Sequence, residues 1–184
     1  IATWARREPM NEAGKFIGSR LAQVAIDPSK ALQLANPAST EDGIAALRMV
    51  RAGAAKWGID THRVGMIGFS AGAITTYNSV VSAAPGEGPD FFGYIYGPQM
   101  VTTVPQNAPP MFDALAFDDE FFPPVTFPVV EAWRKTGRPV ELHVYGGGGH
   151  GFGTGRPGTT TTLIMDEFTT WLSMQGFLTR KEIK

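Results

Sequence analysis

The stretch Val64–Gly72 reads Val-Gly-Met-Ile-Gly-Phe-Ser-Ala-Gly, an apolar run that ends in a Gly-x-Ser-x-Gly pattern. This combination predicts a nucleophile elbow, which is a strand, a sharp turn at Ser70 and a helix that starts directly after it. The turn forces strained backbone angles on the serine, and a Cβ on Gly68 or Gly72 would collide with the neighbouring strand and helix. Ser70 then lies at the N-terminus of the helix, where backbone N–H groups and the helix dipole favour a developing negative charge. The stretch therefore predicts that Ser70 is a nucleophile.

Two further residues follow predicted strands. Asp118 comes after the apolar run Met111–Phe117, and His150 comes after the run Val140–Tyr145. Because open α/β sheets place their sites at the carboxyl ends of the strands, we expect both side chains to lie near Ser70. The order serine, aspartate, histidine along the chain is one of the three familiar orders of a catalytic triad. The neighbouring Asp119 stays open as the alternative acid, and either aspartate could instead cap the helix that follows.

The amino-acid composition argues against several classes of function. The chain has 184 residues, a net charge of −1 and a hydrophobic fraction of 43%, which is typical of one globular domain with a sizeable core. The near-neutral charge gives no reason to expect nucleic acid or a membrane as partner. The lack of cysteine excludes disulfides, a thiol nucleophile and cysteine metal sites. The three histidines show no metal-ligand spacing, so we expect neither a metal nor an organic cofactor.

The pattern of apolar residues and turn residues predicts alternating strands and helices. The pattern is poorly defined over residues 1–38, where it indicates a short strand at Ile1–Ala5 and a helix at Glu12–Ala25. The clearer elements are a helix from Ser39 or Thr40 to Gly58, a strand Val64–Phe69, a helix Ala71–Ala84, strands Phe91–Tyr96 and Met111–Phe117, a helix Val129–Lys135, a strand Val140–Tyr145 and a helix Thr162–Gln175. This alternation predicts a single α/β domain over residues 1–184, with a mostly parallel sheet and helices on both faces.

Two longer segments resemble one family. The segment Trp57–Gly72 and the segment Gly137–Tyr145, followed by His-Gly-Phe-Gly at 150–153, are similar to bacterial α/β-hydrolase esterases, in particular acetyl-esterase and acetylxylan-esterase-like proteins. The resemblance covers roughly residues 40 to 178. It implies that Ser70 is the nucleophile, His150 the base and Asp118, as the first of an Asp-Asp pair, the acid. It also implies that the backbone N–H of Ala71 is one donor of the oxyanion hole.

The chain departs from this family pattern in its first part. Such esterases carry a glycine-rich oxyanion loop and further strands before the elbow, and nothing between Ile1 and Ser39 matches that loop. We therefore expect a carboxyl-terminal portion of the fold that lacks its first strands, with weak or no activity by itself. We also expect association with a second copy or with a missing amino-terminal segment. Because the chain starts at Ile1, the compartment stays open between cytoplasmic and periplasmic or secreted.

The function expected from these residues is hydrolysis of a small-molecule carboxylic ester through an acyl-enzyme. Short-chain acetyl esters, including those of carbohydrates, are implied by the resemblance alone. Two alternatives stay open. One is a peptidase of the prolyl-oligopeptidase type or a lactonase on the same fold, and the other is a catalytically silent domain that binds a partner.

Overall fold

The computed structural model describes residues 37–100, 103–122, 124 and 126–178, so the strand and helix expected before residue 26 lie outside the described residues. The elements are helix α1 (Pro37–Ala52), helix α2 (Ala54–Trp57), strand β1 (Met66–Phe69), helix α3 (Ala71–Ser82), strand β2 (Phe92–Ile95), strand β3 (Met111–Ala116), helix α4 (Pro128–Lys135), strand β4 (Val140–Tyr145), a 3₁₀ turn (Thr160–Leu163) and helix α5 (Ile164–Met174).

The four strands form one parallel sheet in the order β1-β2-β3-β4. At their carboxyl ends Phe69 pairs with Ile95, Ile95 pairs with Ala114, and Ala116 pairs with Tyr145. Parallel neighbours require a crossover connection, and the helices between the strands supply it. All four carboxyl ends therefore meet at one edge of the sheet, as the alternation of elements in the sequence predicts.

Apolar residues cover both faces of this sheet. On one face Tyr77 of α3 and Trp133 of α4 pack with Phe92, and all three side chains are fully buried. On the other face Phe168 and Trp171 of α5 belong to a second cluster around β3 and β4. Each face of a parallel sheet must be covered in this way, since its strands are apolar on both sides. The predicted arrangement of helices on both faces is confirmed.

The helix boundaries differ slightly from those that the sequence predicts. The first described helix spans Pro37–Ala52 and so already includes Ser39 and Thr40, where the sequence places its start. The stretch expected as one helix up to Gly58 is divided at Gly53, and the second part ends at Gly58 in the left-handed conformation at φ 67°. The last helix is preceded by a 3₁₀ turn that starts at Thr160. None of the helices in the described ranges is both long and apolar enough to cross a bilayer.

Asp113 is a buried carboxyl in the centre of β3. Gln99 Nε2 donates a hydrogen bond of 2.6 Å to its Oδ2, whereas Asp113 Oδ1 and Gln99 Oε1 are buried without a partner. Burial raises the pKa of Asp113 to about 7, although the hydrogen bond from Gln99 acts in the opposite direction. A proton on Asp113 removes the buried charge and supplies the donor that these two acceptors lack.

The pair of Asp113 and Gln99 predicts that the free energy of unfolding depends on pH. Because the pKa of about 7 in the folded state exceeds the ordinary value of 3.8, the folded state binds the extra proton between these two values. The contribution to the free energy of unfolding is complete below about pH 4 and falls by about 1.4 kcal/mol per pH unit until the pH passes 7. Urea denaturation between pH 4.5 and pH 8 measures it. Asp113→Asn offers an acceptor and a donor without a titrating proton, so we expect it to lack this slope. The same slope in both proteins would contradict the assignment.

Candidate active site

Ser70 lies in a strained turn between β1 and α3. Its φ of 55° and ψ of −119° fall outside the regions that non-glycine residues prefer. The turn is fixed from both sides, because the N–H of Ser70 donates to the carbonyl of Ile95 at 2.9 Å and its carbonyl accepts from Ala73 at 2.9 Å. The surroundings thus hold the serine in a conformation that a free chain avoids, as is common at functional sites. The predicted strand, turn and helix are confirmed.

The two glycines of the motif differ in their surroundings. A Cβ on Gly68 would lie 2.1 Å from the carbonyl oxygen of Gly72 and 2.4 Å from Thr76 Oγ1, so only glycine fits there. At Gly72, in contrast, a Cβ would meet no described atom within 4 Å. The expected collision is therefore confirmed for Gly68 and is not seen for Gly72 among the residues that the structure describes. Gly68 is what allows α3 to approach β1 so closely.

Three side chains from different strand ends form one hydrogen-bonded chain. Ser70 Oγ lies 2.7 Å from His150 Nε2. His150 Nδ1 lies 2.8 Å from Asp119 Oδ2, and the imidazole is only 14% exposed. With the carboxylate on Nδ1, the ring carries its proton there and leaves Nε2 free to accept the hydroxyl proton of Ser70. This is the geometry that activates a serine as a nucleophile.

Asp119 is a buried anion with three hydrogen bonds. Its residue is 2% exposed, and its Oδ1 accepts the backbone N–H groups of Phe121 and Phe122 at 2.8 and 2.9 Å. Burial alone would raise the pKa of this carboxyl, but the hydrogen bonds from His150 and the two N–H groups outweigh it and keep the pKa below its usual range. Asp119 therefore stays ionised and can stabilise a positive charge on His150.

The structure corrects the expectation for Asp118. Its side chain is exposed and does not contact the imidazole; its Oδ1 accepts the N–H of Gly149 at 2.7 Å instead. The reason lies in the turn that ends β3. The N–H of Asp119 donates to the carbonyl of Ala116 at 3.2 Å, and this tight turn brings the second aspartate back over the strand end. Two adjacent aspartates fit any spacing rule equally well, so only the turn distinguishes them.

Aromatic rings surround the imidazole. The ring centroids of Tyr96, Phe121 and Phe122 lie 4.9, 4.9 and 5.4 Å from that of His150, all edge to face. Tyr96 follows β2 at a φ of 38°, so it is, with Ser70, one of two described non-glycine residues at positive φ. The rings exclude water from the sides of the imidazole, which strengthens its hydrogen bonds. Sequence reasoning assigned Tyr96 to the end of a strand and missed this contact, because no pattern marks a left-handed residue there.

The other candidate groups are placed as follows. Ala71 is the first residue of α3, where backbone N–H groups have no partner within the helix, and its role as an oxyanion donor stays a prediction. His143 lies on β4, where its Nε2 is 2.7 Å from Glu141 Oε1. It is not a member of the hydrogen-bonded chain of Ser70, His150 and Asp119. Within the described ranges no group of three or more histidine or acidic side chains is arranged to hold a metal ion.

Comparison with solved structures shows the same fold. An alpha/beta hydrolase enzyme from a Medee basin deep-sea metagenome library superposes with a TM-score of 0.65 at 24% identity, over 73% of this chain and 63% of that chain. An acetyl ester-xyloside bifunctional hydrolase from Caldicellulosiruptor lactoaceticus gives 0.67 at 23%, over 79% and 68%. A carboxylesterase from Lactobacillus plantarum gives 0.67 at 19%, over 79% and 70%. The chain thus spans 63% to 70% of the length of these three proteins.

The amino-acid sequence itself also matches a family. No curated protein sequence matches the chain. The profile described as alpha/beta hydrolase fold matches residues 18–124, which is more than half of the chain and includes the elbow and the acidic turn. The parallel sheet, the strained serine before α3 and the order of strand-end residues agree with that match. The chain belongs to the alpha/beta hydrolase fold family.

Proposed function

We propose that this protein is a serine carboxylic-ester hydrolase. The observation that carries the proposal is the unbroken hydrogen-bonded chain from Ser70 Oγ through His150 to Asp119, with distances of 2.7 and 2.8 Å. Its three members come from three separate strand ends, and the serine is held in a strained turn. An ordinary helix-capping serine needs neither the strain nor the buried imidazole partner. Such a constellation is recognised by its geometry and not by its position in the sequence.

The proposed mechanism is acyl transfer in two steps. His150 Nε2 takes the hydroxyl proton as Ser70 Oγ attacks the ester carbonyl, and the ionised Asp119 stabilises the imidazolium. The backbone N–H of Ala71, at the start of α3, donates to the oxyanion. The imidazolium then returns the proton to the departing alcohol, which leaves an acyl group on Ser70. Water, deprotonated by His150, attacks this acyl-enzyme; the bond between the acyl carbon and Ser70 Oγ breaks, His150 returns the proton to Oγ, and the acid leaves.

We propose short-chain acyl esters as substrates, with acetylated carbohydrates as the first class to test. Phe121 and Tyr96 lie against His150 and restrict the room on either side of the imidazole. Among proteins of the same fold, the enzyme from Caldicellulosiruptor lactoaceticus is described as acting on an acetyl ester. A thermophilic esterase from Thermogutta terrifontis has been solved with propionate and with butyrate bound. These likenesses support the choice of a small acyl group as the first probe.

An acylation experiment tests the proposed function. On rapid mixing with p-nitrophenyl acetate, we expect a burst of p-nitrophenol equivalent to the active chain, followed by slower steady turnover. Peptide mass spectrometry of the quenched reaction should find the acetyl group on Ser70. The matched control is Ser82→Ala, which removes an exposed serine at the other end of α3 and should leave the burst unchanged. An acetyl group on another residue would contradict the proposal, and faster cleavage of a prolyl amide than of the ester would favour the peptidase.

The expected association with a second copy or an amino-terminal segment stays a prediction. A measurement of solution mass by light scattering tests it on the isolated chain, whose own mass is 19.8 kDa. We expect a mass above that of one chain, together with weak ester turnover. A monomer with the turnover of an ordinary esterase would contradict this expectation.

A further inference from the structure

Three consecutive acidic residues bind one short segment of the loop that carries the histidine. Asp118 accepts the N–H of Gly149 at 2.7 Å and that of Gly148 at 3.3 Å. Glu120 Oε2 accepts the N–H of His150 at 3.2 Å. Asp119, between them, accepts from the imidazole of the same histidine. The backbone and the side chain of this segment are thus held by neighbouring carboxylates on one turn.

The backbone of the segment is shaped to bind an anion. Gly148 has a φ of 151° and Gly149 a φ of 61°, so two successive N–H groups turn toward the same carboxylate. Successive N–H groups in such conformations form a concave site that favours negative charge. The N–H of Gly149 is also the main reason why the pKa of Asp118 lies below its usual range, with the charge of Arg156 as a further contribution. Asp118 is therefore ionised at neutral pH and makes charge-assisted hydrogen bonds.

This anchoring matters because the segment is rich in glycine, which is costly to hold in one conformation. The loop after β4 contains Gly146, Gly147, Gly148, Gly149, Gly151 and Gly153 before it reaches the next turn. Glycine loses more conformational freedom on ordering than any other residue, so the contacts of this loop must offset a larger entropic cost. The distance of 2.7 Å between His150 Nε2 and Ser70 Oγ requires a fixed backbone at residue 150. The two outer carboxylates supply contacts that fix it.

We propose that Asp118 and Glu120 are positioning residues, which hold the backbone of Gly148–His150 so that His150 reaches Ser70. This inference rests on the proposed function for its kinetic consequences. The three acidic residues at 118–120 then differ in what they bind. The middle carboxylate binds the imidazole of His150, and the outer two bind the backbone N–H groups of residues 148–150. Both outer side chains are exposed, so their removal leaves the apolar core intact.

Kinetics of matched variants test the proposal. We expect Asp118→Ala to lower kcat by about 10²-fold with little change in KM, since a shift of about 1 Å in a catalytic group costs this much. Asp118→Asn keeps one acceptor and should recover part of the loss. Glu120→Ala, which removes one longer bond, should cost about tenfold. The control is Asp166→Asn, an exposed carboxylate on α5, with kcat unchanged. A wild-type kcat in Asp118→Ala would overturn the proposal, as would a loss accounted for by the unfolded fraction at the assay temperature.

A second readout does not depend on ester turnover. In the wild-type chain we expect slow hydrogen exchange at the N–H groups of Gly148 and Gly149, and a far-downfield NMR signal from the Nδ1 proton of His150. Asp118→Ala should accelerate the exchange of these two N–H groups and broaden the imidazole signal, while the N–H groups of β3 keep their protection. Unchanged exchange would overturn the positioning role. If the wild-type protein hydrolyses no ester even in its associated form, the proposed function fails, and this measurement still decides the positioning.

Discussion

Replacing Ser70 by alanine in an active form of the protein is expected to lower kcat for a short-chain ester by about 10⁶-fold, because the members of a triad act as a unit. The variant removes the oxygen that lies 2.7 Å from His150 Nε2, and no acyl-enzyme can then form. Residual turnover should come only from binding and from the oxyanion donors. Alanine also fits the packing, since the side chain changes by one oxygen. Steady-state hydrolysis of p-nitrophenyl acetate measures the loss, with the active wild-type chain counted by its burst and the variant counted by its concentration of folded protein.

The control for this prediction separates chemistry from folding. An alanine in place of Ser70 would keep the positive φ of 55°, which is unfavourable for any residue with a Cβ, so circular dichroism and thermal unfolding must accompany the assay. Ser82→Ala removes a hydroxyl from the same helix at an exposed position and should keep full activity. Full activity in Ser70→Ala with an intact fold would show that another residue attacks the ester.

The second large effect is expected from Asp119→Asn, which should lower kcat by up to about 10⁴-fold. Oδ1 of Asp119 accepts the N–H groups of Phe121 and Phe122, so the amide oxygen of an asparagine will take that place. Its NH₂ group then faces His150 Nδ1, where it donates and forces the ring to carry its proton on Nε2. That tautomer cannot accept the proton of Ser70. The fold should survive, since the shape of the side chain is unchanged.

Asp118→Asn is the matched comparison, since it makes the same chemical change one residue earlier. Asp118 binds the backbone of Gly148 and Gly149 and not the imidazole, so we expect a loss far smaller than that of Asp119→Asn. The pH dependence of kcat/KM for both variants and the wild type completes the comparison, because only Asp119→Asn should change the protonation of the imidazole in the free enzyme. A greater loss in Asp118→Asn would return the role of the acid to Asp118.

Much of the fold follows from local sequence patterns. The strand before Ser70 is apolar, the elbow requires glycine at 68, and α3 begins at the next residue after the serine, so a single segment fixes the position of Ser70. The strands that precede Asp119 and His150 are rich in apolar residues, and β3 is buried along its whole length, as expected for a central strand covered on both faces. Parallel pairing then places all strand ends together. The position of His150 near Ser70 is thus predictable from the sequence.

The remaining features depend on turn geometry, which periodicity does not encode. The turn after β3, with its hydrogen bond from the N–H of Asp119 to the carbonyl of Ala116, places Asp119 and not Asp118 against His150. The contact of Tyr96 with His150 needs a left-handed residue at the end of β2, and no glycine or asparagine marks it. The closeness of Asp113 and Gln99 likewise arises from a loop that folds back over β3. In each case the tertiary structure selects one of several local conformations that the sequence pattern allows equally well.

The most direct test of the central claim is to map the site of covalent labelling by a serine-directed phosphonate. The wild-type chain is incubated with the reagent, digested and examined by peptide mass spectrometry, and Asp119→Asn and Asp118→Asn are labelled in parallel. The account predicts one label, on Ser70, formed at a rate that falls strongly in Asp119→Asn and only modestly in Asp118→Asn. Labelling of a different residue, or equal rates in wild type and Asp119→Asn, would contradict the assignment of Ser70, His150 and Asp119 as one catalytic unit.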